Sequence, residues 1–316
     1  MDWSKGSERI VDAGTADATS GQVHWNPAKS FWITGMTAVG VVGGPWCFEW
    51  DAFFVFLVLT GITLCTGHSV GMHRRLIHRS FECPRWLEYC LVYSGVLVGM
   101  AGPLGLAMQH DLRDWAQRHP GCHPYLCHDN DIWTDAFWQL HCDIVLEHAP
   151  RFEPEAELGE SRFYRWLERA WMWQQLPVAV LLYALGDVSW VVWGVGARVS
   201  VCVVGHWLVG YFAHNKGPRS WHVQGAGVQG HDVPVAAVLS MGEGWHNNHH
   251  AYPGSARLGL FQGQHDPGWW LILALERLGL AWDIKTPANL PRRSDVECVH
   301  HGDIREGEVE WLRARA

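Results

Sequence analysis

Residues 50–78 read WDAFFVFLVLTGITLCTGHSVGMHRRLIH. After Asp51 comes an uncharged run, 52–72, about as long as a helix that crosses a ~30 Å hydrocarbon core at ~1.5 Å per residue. It passes without a turn signal into HRRLIH, where imidazole and guanidinium groups crowd together. An apolar span that ends in basic, metal-competent side chains predicts a transmembrane helix whose inner end carries chemistry. The preceding stretch, 30–48, is also uncharged, and Glu49 and Asp51 supply a polar turn, so 30–48 and 52–72 read as a hairpin.

A second hairpin follows the same logic over 170–187 and 192–213. It is interrupted by Gln174, Gln175 and Asp187, and it holds Arg198 inside the apolar run. A charge at that depth is costly, so Arg198 must snorkel or be paired. Arg74, Arg75, Arg79 and Arg85 follow the first hairpin, Arg162, Arg165 and Arg169 precede the second, and Lys216 and Arg219 follow it. All fall on one side, which the positive-inside rule assigns to the cytoplasm.

The pattern predicts an all-α integral membrane protein: four transmembrane helices in two hairpins, plus a cytoplasmic helical cap. Tyr89 to His110 is uncharged but rich in glycine, and is expected as a re-entrant or in-plane segment. Gly268 to Leu280 (GWWLILALERLGL) is too short to span and suits an in-plane amphipathic helix. Either stretch is alternatively a buried core helix. Polar tails, 1–29 and 286–316, flank the body at 30–285. The first residues contain no apolar run after a basic one, so no cleavable signal peptide is expected.

Composition agrees with a membrane anchor joined to a polar cap. The 316 residues include 21 Trp and 20 His, and only 18% are charged. Mean hydropathy is −0.07, an average of apolar spans and histidine-rich segments. A formal charge of −8 gives no basic face for nucleic acid, and 48% hydrophobic content excludes disorder. Nine cysteines without a CxxC pair argue against a disulfide framework or an iron–sulfur site.

The histidines are grouped. His73 and His78 lie in HRRLIH, with His68 five residues upstream. His110 is followed by His119 and His123 in HPGCH, His206 and His214 sit on the last span, and GEGWHNNHH holds His246, His249 and His250. Each cluster falls at the cytoplasmic end of an element, so all can converge on one site. Neutral imidazole suits iron, zinc or copper, and the absence of HEXXH removes the zinc-protease reading. On a helix, HxxHH puts all three rings on one face, whereas the two rings of HxxxxH diverge and can serve different metals. His119 and His123 also fit a plain Pro-Gly turn.

With these motifs the chain resembles the membrane fatty-acid desaturases, specifically the acyl-CoA Δ9 branch and its bacterial relatives. The matching stretches are GHSVGMHRRLIHRSFECP, QHDLRDWAQRHPGCH, GHWLVGYFAHN, GEGWHNNHHAYPGSARLGL and DPGWWLILALERLGLAWDIKTP. The resemblance implies two iron ions held by His73, His78, His119, His123, His214, His246, His249 and His250. Two features depart from the family. The second box runs HPGCH, with Cys122 where a histidine is expected, and Gly210 stands where the family has an asparagine. Cys122 is therefore either an added ligand or a space-filler. His110 could compensate for the missing imidazole and His206 for the missing asparagine, with His68 a further candidate.

The resemblance further implies an O₂-dependent desaturation of a fatty acyl chain carried by CoA, carrier protein or lipid. No FAD, NAD or iron–sulfur motif is present, so a separate ferredoxin or cytochrome b5-type donor with its reductase is expected. The expected location is a bacterial inner membrane, with the active site facing the cytoplasm. A hydroxylase of the same superfamily and a non-redox membrane metal protein remain as alternatives.

Overall fold

The structure, a computed structural model, describes residues 9–299. It is mostly helical. Two helices are long and apolar enough to cross a membrane, Trp50–Ile77 and Val188–Asn215, and a shorter apolar helix covers Met172–Leu185. Pro27–Ala38 begins where Asn26 accepts a hydrogen bond from the Lys29 amide and Pro27 fixes the first turn. From there the chain winds to Trp46 and turns back at Glu49. Trp193 donates to the Cys47 carbonyl at 3.2 Å and Trp190 to Asp51 at 3.1 Å, tying the two hairpin tips together. Phe48, Phe53 and Phe56 pack with Trp193 at that end, and Trp50 packs on Phe48 and Phe53.

Arg198 neither snorkels nor meets a carboxylate. It is buried and donates to the carbonyls of Gly194 and Leu97 and to the Gln175 side chain at 2.6 Å. Gln175, which interrupts the apolar pattern, is there to receive it.

Trp50–Ile77 changes winding part-way. Its first turns are α-helical, but Thr63–Ile77 is wound with i→i+5 hydrogen bonds, the last running from the His78 amide to the His73 carbonyl at 3.0 Å. This π winding is seldom longer than one turn and tends to mark functional sites. Arg85–Val96 lies against it at backbone distance: a Cβ on Gly67 would come within 2.4 Å of the Ser94 and Gly95 main chain, and one on Gly71 within 2.6 Å of Leu91. The 89–110 stretch therefore does not run on as one segment. It breaks at Gly99, whose φ is +85°, and restarts as Pro103–Arg118.

The all-α expectation holds for most of the chain but omits short strands. Three two-stranded antiparallel ladders are present. Ile10–Val11 pairs with Arg151–Phe152, Gly21–Trp25 with Cys142–Leu146, and Trp221–Val223 with Val296–Cys298. Residues 9–25 are consequently tied as a strap to 142–152, and Arg9 is buried. Polarity alone suggested a tail. The backbone there instead finds a partner strand, and the polar side chains find buried acids. The part of the 286–316 tail beyond residue 299 lies outside the described residues. Pro267–Arg277 is helical, capped by Asp266, and packs Ile272 and Leu275 inward while Trp270 stays exposed.

Candidate metal centre

The π winding explains the first histidine pair. Residues five apart stack in an i→i+5 helix, so His73 and His78 do not diverge as they would on an α-helix. His68, His73 and His78 form a file, with ring centroids 6.4 Å and then 4.7 Å apart. His78 Nε2 lies 3.1 Å from His73 Nε2 and 3.2 Å from His110 Nε2, and the His249 ring sits 4.6 Å from His73 and 4.7 Å from His78. These four, His73, His78, His110 and His249, form one convergent group.

A second group joins His214, at the end of the last long helix, to His246 and His250. His246 Nε2 is 3.2 Å from His214 Nε2 and 3.0 Å from His250 Nε2. Within each group the ligand atoms lie within 4.8 Å of one another. His246–Ala251 is a short helix. Its i and i+4 rings serve one group, and His249, nearly perpendicular to His250, turns to the other. HxxHH thus bridges two groups instead of presenting one face.

Of the expected ligands, His73, His78, His214, His246, His249 and His250 are brought together, and His110 joins them. His119 and His123 join neither group. The His119 Nδ1 is 2.8 Å from the Trp115 carbonyl, and His123 Nδ1 accepts from the Tyr125 amide while capping a turn. The Pro-Gly turn fixes that local geometry and leaves both rings engaged with their own loop. Cys122 also lies elsewhere, packed against the cluster of Ala18, Trp115, Tyr125 and Leu126, with Cys127 as its neighbour. His206 packs on His68 at 4.8 Å as a separate pair.

Two further networks brace the groups. Glu243 lies 2.6 Å from His73 Nδ1, and Arg9 binds Asp111, which neighbours His110 Nδ1 at 3.5 Å. Behind His214 stands His128, stacked on it at 5.3 Å and held at Nδ1 by Asp135 at 2.9 Å, with Arg113 against its other nitrogen. A Cβ at Gly210 would sit 3.5 Å from His128 Nε2, so His128, not His206, fills the space beside that glycine. No spacing pattern singled out His128. Glu243 stood within GEGWHNNHH but drew no notice, because it is not itself a ligand type favoured by that motif.

The donor set fits divalent first-row metals. Burial first, and neighbouring imidazoles second, hold His78, His249 and His250 well below their ordinary pKa, and burial pushes His246 down to about 3 against the raising effect of Glu243. The imidazoles are therefore neutral and have a lone pair to give. His110 departs in the other direction. Burial would lower it, but the carboxylates of Asp114 and Asp111 raise it.

The chain is similar to enzymes that act on fatty acyl chains. It is 33% identical over 283 residues to an acyl-CoA 5-desaturase of Anemone leveillei, covering 87% of this chain and 86% of that protein. It is 34% identical over 257 residues to Delta-9 acyl-lipid desaturase 1 of Arabidopsis thaliana, covering 79% and 80%. It is also 32% identical to an icosanoyl-CoA 5-desaturase of Limnanthes douglasii, covering 79% and 69%. No protein-family model matches the chain. Identity at this level over most of both chains, together with the convergent histidines, places the protein among them: it belongs to the family of acyl-CoA and acyl-lipid desaturases.

Proposed function

We propose that the protein introduces a cis-type or trans-type double bond into a fatty acyl chain in an O₂-dependent reaction at a di-iron centre. The observation that carries this reading is the pair of adjacent histidine groups linked by the neighbouring His249 and His250. His73, His78, His110 and His249 would hold one iron, and His214, His246 and His250 the other. When bound, the irons supply the oxidising power. The balance is one O₂, two electrons and two protons, with two hydrogens leaving adjacent carbons and two waters formed.

The chain's own part is to hold neutral imidazoles in place and to keep water from the alkyl segment. The carboxylates of partly buried Glu243 and buried Asp111 orient rings from behind. The reducing electrons come from a separate ferredoxin or cytochrome b5-type donor. Four crossings, with the site on the cytoplasmic side, are the topology we infer. Exposed apolar residues on all four apolar segments support it, for example Val41, Leu57, Val180 and Val201, as does the basic flank of each hairpin.

The test is lipid analysis of an expressing host by mass spectrometry. A fatty acid lighter by two hydrogens, absent when His249 is replaced by alanine, is the expected result. A product heavier by one oxygen, or no product from a chain that holds iron, would overturn the reading.

A further inference from the structure

Between Asp232 and Glu243 the chain carries no charge: residues 233–242 read VPVAAVLSMG. The stretch is far too short to span a bilayer, and it runs directly into the GEGWHNNHH histidines. Pro234–Ala237 forms one short helical turn that continues as turns to Gly244. Ala237 packs inward with Trp245 and Leu258. The other side is apolar and open: Val235 is 89% exposed, Leu239 is 74% exposed, and Val238 is exposed with them. Spacing of three and four residues gathers these side chains on one side. Single exposed apolar side chains are ordinary, but a contiguous group marks a contact surface.

The partners of the stretch indicate what covers it. The Met241 carbonyl accepts from the Ser69 hydroxyl at 3.1 Å and from the Gly268 amide at 3.1 Å. Next to it, the Cys65 thiol approaches the Pro267 carbonyl at 3.9 Å. Cys65 and Ser69 lie on the Trp50–Ile77 helix, inside the uncharged run 52–72. Earlier on that helix Leu57, Val58 and Ile62 are exposed. The 233–242 stretch and the start of Pro267–Arg277 thus meet the apolar helix before its uncharged run ends. Trp270, in the first turn of Pro267–Arg277, is exposed as well, and Trp is favoured where acyl chains give way to headgroups.

We propose that the 235–239 ridge is a bilayer-contact surface, with Val235, Val238 and Leu239 seated among lipid acyl chains at the inner edge of the hydrocarbon core. This inference rests on the crossing topology inferred above. It gives the cap an anchor outside the four apolar segments. The anchored stretch also leads straight to the metal centre. Glu243, two residues past Met241, accepts from Ser69 at 2.6 Å and lies 2.6 Å from His73 Nδ1, and His246 follows three residues later. The ridge therefore fixes the depth of the histidine groups relative to the bilayer.

The experiment installs a photoreactive benzophenone side chain in place of Leu239, and in separate chains in place of Leu57 on the apolar helix and of exposed Gln224 on the cap. Each full-length protein is reconstituted into vesicles of phosphatidylethanolamine and phosphatidylglycerol, irradiated, digested and read by mass spectrometry. Position 239 should gain the mass of a phospholipid, as position 57 should, and position 224 should not. Lipid at 57 with none at 239 would overturn the proposal and place the ridge in water. A cross-link from 239 to a second chain in place of lipid would also overturn it and assign the face to a second copy. Loss of the lipid adduct at 57 would instead sink the crossing topology, whatever position 239 shows.

Discussion

Glu243 sets one carboxylate oxygen 2.6 Å from Nδ1 of His73, while its other oxygen accepts from the Ser69 hydroxyl at 2.6 Å. The His73 approach is an ion-pair contact and not a well-aligned hydrogen bond, but it fixes which ring nitrogen faces the acid. Nε2 is left to point at His78. Carboxylates behind ligating histidines typically change metal affinity 10–100-fold. Glu243→Gln should therefore release iron from the four-histidine group about 10-fold more readily in competition with a chelator. Equal retention by the wild type and the variant would show that the contact is incidental.

Cys122 offers a contrasting case. It stands in the second histidine motif where one more imidazole was expected, yet its side chain packs on an apolar cluster with Cys127 as its partner. Pairing with Cys127 and burial push the Cys122 thiol far up, so it stays protonated and is a poor ligand. Cys122→Ala should leave the iron content unchanged. His110→Ala should lose iron, because His110 lies 3.2 Å from His78. A fall in iron for Cys122→Ala would restore the sulfur to the site.

The difference between these two residues shows what the sequence could reveal. His246, His249 and His250 were legible because their spacing is short and rigid on any helix. His73 and His78 were recognisable as a motif, but their convergence was not, since it depends on a π winding that the residue pattern does not announce. His119 and His123 entered the ligand set through the family resemblance, while their own local sequence also fitted a plain Pro-Gly turn. The ring that groups with His73, His78 and His249 is His110, at the other end of the same stretch. Among fold features, the apolar helices could be read from hydropathy. The strap at 9–25 could not, because its stability comes from strands and acids more than a hundred residues away.

That strap makes a prediction of its own. Arg9 is 5% exposed, and its guanidinium reaches Asp111 at 2.7 Å, Glu155 at 2.8 Å and the Ile77 carbonyl at 2.7 Å. Removing one partner of a buried ion pair leaves an uncompensated charge and costs about 3–5 kcal/mol. Arg9→Met should lower unfolding stability by about that amount in detergent, measured by denaturant titration. Adding Asp111→Asn should return part of the loss, because the stranded carboxylate is then gone. If Arg9→Met is as stable as the wild type, the strap is not held by this pair.

Asp232 carries the pH dependence outside the spans. It is 3% exposed and accepts from the Asn247 amide at 2.9 Å, which fixes the start of the HNNHH helix. Burial pushes its carboxyl up to about 7, against the lowering effect of that amide. The folded chain thus keeps the proton to about pH 7, while the unfolded chain releases it near pH 4. Between these values the unfolded state binds fewer protons, so the Asp232 contribution to stability is full below pH 4 and is lost as pH rises toward 7. Asp232→Asn cannot ionise and keeps an oxygen for the Asn247 amide. In chelator-treated protein the variant should match the wild type at pH 4.5 to within about 1 kcal/mol and exceed it by ~3 kcal/mol at pH 8. Both proteins share every histidine, so the difference between their thermal midpoints isolates this one carboxyl. Parallel pH profiles would show that Asp232 titrates normally and that its burial is relieved by water.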